Sequence, residues 1–271
     1  MSLVETNWLE KNLNNVKIID CSWHMPLTRR NGFEEYKKQH IPNSIFFDLD
    51  ENSKKDTKLP HMLVQEEDWN NIVSKMGINN TDKVVIYDNS DVISSCRLWF
   101  NLIYFGHNAK LVHVLNGGFQ KWLSENKRVT DQVSGIDNSN YKSLEKKELV
   151  KDKIMIDKNL DVQDFKIIDA RSKDRFHGKI PEPREGLRSG SIRNSFCIPF
   201  NTCLNEDRTF KKKSELEKIF KECLKDLNEK NIVFSCGSGV TACVLALAYS
   251  LINDKYLPCI YDGSWAEYGM I

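Results

Sequence analysis

The chain has 271 residues, 39 Lys and Arg against 38 Asp and Glu for a formal net charge of +1, and 40% hydrophobic residues. This is the composition of a folded globular protein: it excludes disordered, collagenous and coiled-coil chains, and the flat charge balance signals neither a nucleic-acid footprint nor an acidic tail. At roughly 150 residues per domain, the length corresponds to about two domains, each large enough to bury a core.

In chain order, the first element is a helix around residues 8–13, for which Asn7 is the expected N-cap with Glu10 three residues on. VKIIDCS (16–22) reads as a short buried strand. Residues 63–77 place Leu63, Trp69, Ile72, Val73 and Met76 at helical spacing, with Gly77 where a C-cap belongs. A second apolar strand, VVIYD (84–88), and the stretch NGGFQKW (116–122) follow. Residues 129–153 are polar, lack apolar periodicity and hold a Ser-Gly and an Asn-Ser-Asn cluster, which marks an interdomain linker. Beyond it come FKIIDAR (165–171), a helix over 213–227 with Leu216, Ile219, Phe220, Cys223 and Leu227 on one face, the strand IVFSC (232–236), an apolar helix beginning near Val240, and DGSWAEY (262–268).

Six of these stretches form three repeat pairs. VKIIDCS pairs with FKIIDAR (Asp20 to Asp169, an offset of 149), VVIYD with IVFSC (an offset of 148), and NGGFQKW with DGSWAEY (an offset of 146). Matches in one order at a nearly constant offset mean two copies of one fold. Short apolar strands alternating with helices predict an α/β domain with a mostly parallel central sheet flanked by helices. The expected domains are 1–128 and 154–271, joined by the linker 129–153.

The eight cysteines include no CxxC pair and lie at least six residues apart, so neither a structural zinc site nor any other metal is expected. The longest apolar run, 244–252, is too short for a membrane span. The start of the chain is polar from the fifth residue and carries Glu5 and Glu10, unlike an acid-poor transit peptide. The expectation is a cytoplasmic protein with reduced thiols and small-molecule partners, with no nucleic acid and no membrane.

Chemistry concentrates in NIVFSCGSGVTACVLALAYSL (231–251). Cys236 ends a buried strand and is followed by a glycine-bearing loop and a helix. A thiol there faces the positive end of the helix and a ring of backbone N–H groups, an environment that favours the thiolate. Gly237 and Gly239 remove side chains where the loop curls around an anion. The bland alternative is one more buried structural cysteine. In the first copy the matching residue is Asp88, with no glycine-rich loop after it, so only the second copy can carry a nucleophile.

CGSGVTA (236–242) resembles the active loop of the two-domain rhodanese superfamily. QHIPNSIFFDLD (39–50), LNGGFQKWL (115–123), RFHGKIPEPREG (175–186) and YDGSWAEY (261–268) are similar to family signatures in family order. Thiosulfate-using members typically carry two basic residues after the cysteine; Gly237 and Ser238 stand there in this chain, which likens it to the mercaptopyruvate-using branch. The resemblance implies a cofactor-free sulfurtransferase in which Cys236 accepts sulfane sulfur as a persulfide and passes it to reduced thioredoxin, a small thiol or cyanide. It further implies that the 237–241 amides, from Gly237 through Gly239, Val240 and Thr241, cradle the persulfide. Ser238, Asp50 and His61 would handle protons, and Arg175 and Arg184 would hold the carboxylate and keto oxygen of mercaptopyruvate.

Without the resemblance, Arg175 and Arg184 are loop arginines, Asp50 a capping carboxylate and His61 a surface imidazole, while Asp20 and Asp169 end strands and Cys243 belongs to the core. SGSIRNS (189–195) departs from the commoner Gly-His-Ile-Pro-Gly stretch. The competing functions are a thiosulfate:cyanide sulfurtransferase and a non-catalytic rhodanese-like binding module. A phosphatase of the same fold needs a Cys-x5-Arg loop, and position 242 is Ala.

Overall fold

The computed structural model describes residues 2–133 and 135–271. Its backbone divides into two compact units: Met1–Lys54, Leu63–Lys146 and Glu206–Thr209 form the first, and Lys55–Met62, Lys147–Asn205 and Phe210–Ile271 the second.

In the first unit the strands are β1 (Leu3–Val4), β2 (Lys17–Asp20), β3 (Ser44–Phe46), β4 (Val84–Tyr87) and β5 (Val112–Leu115), and the helices α1 (Thr6–Asn12), α2 (Gly32–Lys38), α3 (Glu66–Lys75), α4 (Ser95–Tyr104) and α5 (Gly118–Ser124). The second unit repeats the set with β6 (Val150–Lys151), β7 (Lys166–Asp169), β8 (Phe196–Cys197), β9 (Ile232–Ser235) and β10 (Ile260–Tyr261), and with α6 (Lys153–Val162), α7 (Lys173–Phe176), α8 (Lys213–Lys221), α9 (Val240–Ser250) and α10 (Ser264–Tyr268). The sheet orders are β1-β5-β4-β2-β3 and β6-β10-β9-β7-β8, the same order twice, with every pairing parallel. The expected pair of α/β domains with parallel sheets flanked by helices is what forms.

Helices on both faces explain why VVIY and IVFS are unbroken apolar runs, since each residue of β4 and β9 is buried. The duplication is visible in the packing. Ile18, Val85 and Phe119 share one core cluster in the first unit, and Ile167, Val233 and Trp265 share its counterpart in the second. The amide of Phe119 donates to the carbonyl of Asp88 at 2.9 Å, as that of Trp265 donates to the carbonyl of Cys236 at 2.9 Å.

Element ends differ from the sequence pattern in three places. Helix α1 starts at Thr6 with Glu5 as N-cap and no side-chain cap, because β1 must end at Val4 to pair with β5. Asn7 instead lies within the helix and accepts a hydrogen bond from Lys127 Nζ at 2.6 Å. Helix α3 begins at Glu66, after Leu63, and Gly77 just past its end has the expected left-handed φ of 63°. Helix α8 stops at Lys221, where the amides of both Cys223 and Leu224 turn back to the carbonyl of Phe220. Leu224 is consequently the residue buried beyond the helix.

The polar segment after residue 128 is held by its backbone. Thr130 bridges His40, the Ser139 amide donates to the carbonyl of Ser74, and Leu144 and Lys146 donate to the carbonyls of Phe105 and Tyr104. No helix among the described residues is long and apolar enough to cross a membrane.

Candidate active site

In a parallel sheet of this order the chain leaves β7 toward one edge and later returns beside it as β9, so the crevice beyond the carboxyl ends of β7 and β9 is where such folds bind ligands. Cys236 stands there, immediately after β9 and 2% exposed. Gly239, the N-cap of α9, has φ 77°, which a side chain would strain, and its turn brings the helix start back toward the cysteine. The rear of the loop is pinned by the start of α10. Ser264 Oγ accepts hydrogen bonds from the amides of Cys236 (3.2 Å) and Gly239 (3.1 Å) and donates to the carbonyl of Tyr261 (2.8 Å). The amides of Trp265 and Ala266 hold the carbonyls of Cys236 and Gly237, each at 2.9 Å. The Gly239 amide therefore belongs to the pinned rear of the loop. Val240 and Thr241 open α9, and their amides have no acceptor within the helix and lie at its positive end.

Both predicted arginines converge on this loop. A Cβ at Gly237 would lie 3.2 Å from Nη2 of Arg175 and 3.6 Å from Nη1 of Arg184, so both guanidinium groups come up to this glycine and that of Arg175 comes closer than a side chain there would comfortably allow. Arg175 sits in the short helix α7, whose N-cap Ser172 receives the Arg175 amide. Its guanidinium is gripped by Glu182, with Nε to Oε1 at 3.2 Å and Nη2 to Oε2 at 2.5 Å. Glu182 also accepts Nη1 of Arg171 at 2.8 Å, and Arg171 is paired through Nε and Nη2 with Asp169 at the end of β7.

Ser238 joins the remaining groups. Its Oγ lies 3.0 Å from Nδ1 of His61 and receives Nη2 of Arg184 at 3.4 Å. Far from being a surface imidazole, His61 is 4% exposed and holds a left-handed backbone with φ 61°, a conformation that histidine enters at a cost and that occurs at functional positions. The segment Lys55–Met62, which the duplication assigns to the first copy, packs within the second unit, and it delivers the imidazole. Asp50 belongs to the first unit, where its Oδ2 accepts the indole N–H of Trp23 at 2.8 Å. The second unit thus gathers Cys236, Gly237, Ser238, Gly239, Val240, Thr241, Arg175, Arg184 and His61.

The first unit shows what the same loop becomes without a thiol. Asp88 takes the place of Cys236, and its carboxylate accepts the amides of Ser90 (2.8 Å) and Ser95 (3.0 Å), with Arg208 Nη2 at 3.9 Å. The cradle is filled by the chain's own anion. The other cysteines are poor nucleophiles where their state is defined: burial pushes Cys197, Cys203 and Cys259 up to about 12, and Cys21 and Cys223 upward as well.

Reading the residues one by one missed Glu182, Arg171 and Ser264. Glu182 lies in an irregular segment with no periodicity, and Arg171 ends the repeat stretch FKIIDAR, which by itself gives its guanidinium no role. The repeat did flag Ser264, within DGSWAEY, although nothing local gives its hydroxyl a role.

Residues 5–125 and 152–270 each match the family described as "Rhodanese-like domain". The chain is 38% identical to thiosulfate/3-mercaptopyruvate sulfurtransferase 1, mitochondrial, of Arabidopsis thaliana, over 98% of this chain and 75% of the relative. It is 35% identical to 3-mercaptopyruvate sulfurtransferase of Mus musculus, over 99% of this chain and 92% of the relative. Among solved structures it is similar to SseA from Escherichia coli, described as a 3-mercaptopyruvate sulfotransferase, with a TM-score of 0.87 at 28% identity over 98% of this chain and all of the other.

Proposed function

The chain belongs to the rhodanese family, and from that premise we propose that it is a sulfurtransferase moving sulfane sulfur from 3-mercaptopyruvate through a Cys236 persulfide to a thiol or cyanide, with release of pyruvate. The observation that carries this reading is the convergence of Arg175 and Arg184 on Gly237, beside the nucleophile. Forked guanidinium donors suit a carboxylate next to a ketone, and bound there the substrate offers its sulfur to Cys236.

In the first half-reaction the Cys236 thiolate attacks the substrate sulfur, the carbon–sulfur bond breaks, and its electron pair passes to C3 as the enolate of pyruvate. The proton that leaves the substrate thiol ends on C3, and Ser238 with His61 is the pair that moves it. The persulfide anion is stabilised by the amides at the start of α9 and by the helix dipole. In the second half-reaction cyanide or a thiolate takes the outer sulfur and regenerates the Cys236 thiolate, so one nucleophile serves both steps. The acceptors we propose are a small thiol, the thiols of reduced thioredoxin, or cyanide.

Thiosulfate is the second donor to consider. The Arabidopsis relative is named for both donors, and two guanidinium groups also suit a dianion. With Gly237 and Ser238 next to the cysteine the loop adds no positive side chain of its own, which ranks thiosulfate below mercaptopyruvate. The non-catalytic alternative describes the first unit, where Asp88 occupies the cradle.

The test is intact mass after incubation with 3-mercaptopyruvate. The expected result is a gain of one sulfur atom that Cys236→Ser abolishes, with pyruvate released; no gain and no pyruvate would refute the reading.

A further inference from the structure

We infer that Glu182 is a positioning residue that sets the Arg175 guanidinium over the nucleophile loop, working from a buried anchor formed by Arg171 and Asp169. The inference rests on the proposed donor, because it assigns Arg175 to the donor's binding.

Arg175 by itself is poorly fixed. It sits on a four-residue helix, and its side chain is 21% exposed. Glu182, by contrast, is 1% exposed at its side chain and grips Nε and Nη2 of Arg175 together, which fixes the plane of the guanidinium and not merely its distance. The gripped Nη2 is the atom that comes nearest the Cβ position of Gly237. A buried carboxylate can hold such a cation only if its own place is set. Arg171 sets it: its side chain, 1% exposed, donates Nη1 to Glu182, and Nε and Nη2 to Asp169. The guanidinium also reaches the carbonyl of Gly190 at 2.8 Å and lies 4.3 Å from the ring centroid of Trp265. Arg171 therefore fastens the irregular stretch at Glu182 and again at Gly190, on either side of Arg184, to the strand next to β9. The direction of Arg175 follows from the sheet through three ion pairs in series.

The experiment uses Glu182→Gln in the full chain, measured with 3-mercaptopyruvate and by discharge of a persulfide loaded beforehand from inorganic polysulfide. The expected result is a KM for mercaptopyruvate raised about tenfold, kcat within about twofold, and cyanide discharge at the wild-type rate. In an Arg175→Met background Glu182→Gln should add nothing further, because its effect passes through that side chain. Discharge slowed as much as loading, or an additional loss in the Arg175→Met background, would overturn the assignment. If the Gln variant does not fold, Glu182→Asp keeps the charge beside Arg171 but is too short to reach Arg175 as well, and it should show the same split. If the wild type is loaded by thiosulfate and not by mercaptopyruvate, the proposed donor fails, and the same cycle run with thiosulfate still decides the coupling of Glu182 to Arg175.

Discussion

Nδ1 of His61 lies 3.0 Å from Oγ of Ser238, although 177 residues separate them in sequence. Arg184 reaches the same oxygen at 3.4 Å, so the hydroxyl stands between an imidazole that can exchange a proton and a guanidinium that cannot. Mercaptopyruvate needs a proton delivered to its departing carbon; thiosulfate departs as sulfite and needs none. Ser238→Ala should therefore slow loading of Cys236 from mercaptopyruvate about 100-fold and loading from thiosulfate by no more than about threefold. Single-turnover loading with each donor measures the difference, and equal losses would remove the relay.

Gly237 makes a second prediction through space. An alanine there puts a methyl group 3.2 Å from Nη2 of Arg175, so the guanidinium, held by Glu182, has to give by a few tenths of an ångström. Backbone strain is not involved, because Gly237 is not in the left-handed region. The expected result for Gly237→Ala is a KM for mercaptopyruvate raised roughly tenfold, equivalent to about 1.4 kcal/mol of lost charge-assisted contact, with an unchanged melting temperature. A lower melting temperature with unchanged KM would mean that the glycine serves folding alone.

These two predictions draw on different amounts of sequence information. The Cys236 loop is legible because its parts are consecutive: a buried strand, a cysteine, glycines and a helix start, with Asp88 at the repeat position to show what is missing from the first copy. His61 is not legible in that way. Its pairing depends on Lys55–Met62 packing in the second unit, which no local pattern encodes, and only the family resemblance singled it out. Glu182 escaped because a carboxylate in a proline-rich loop looks solvated until the buried Arg171 beside it is known. Element ends slipped for a related reason. Apolar spacing continues past Lys221 in α8, but the chain turns there and buries Leu224 instead of continuing the helix.

Asp20 gives a prediction about pH. Burial pushes its carboxyl up to about 7, against the hydrogen bonds from the Ser22 hydroxyl (2.5 Å) and amide (2.9 Å). The folded chain then binds this proton more tightly than the unfolded chain does. The stability it contributes is full below about pH 4 and is lost as pH rises through about 7. Asp20→Asn keeps an oxygen for both Ser22 donors and stays neutral throughout. Relative to wild type, the variant should gain on the order of 4 kcal/mol between pH 4 and pH 8. Urea unfolding at those two pH values measures the gain, and parallel pH dependence in the two proteins would show that Asp20 titrates normally.

Asp88 and Cys236 occupy the same place in the two copies, and substituting each by alanine should have opposite consequences. Asp88 is 3% exposed and satisfies the amides of Ser90 and Ser95 while facing Arg208. Its removal leaves two buried N–H groups without their acceptor, while Arg208 keeps Asp91 at 3.5 Å. Asp88→Ala should cost roughly 2–4 kcal/mol of stability, reported as an earlier urea transition. Cys236→Ala removes a single sulfur atom from a loop whose backbone is held by Ser264, Trp265 and Ala266, and should cost about 1 kcal/mol while ending sulfur uptake entirely. The contrast follows from what each side chain does: the Asp88 carboxyl is the acceptor on which its loop amides depend, whereas Cys236 carries sulfur and leaves its loop backbone to Ser264, Trp265 and Ala266. Comparable destabilisation by the two substitutions would show that the second loop also depends on its side chain for folding, and the division of labour between the copies would have to be given up.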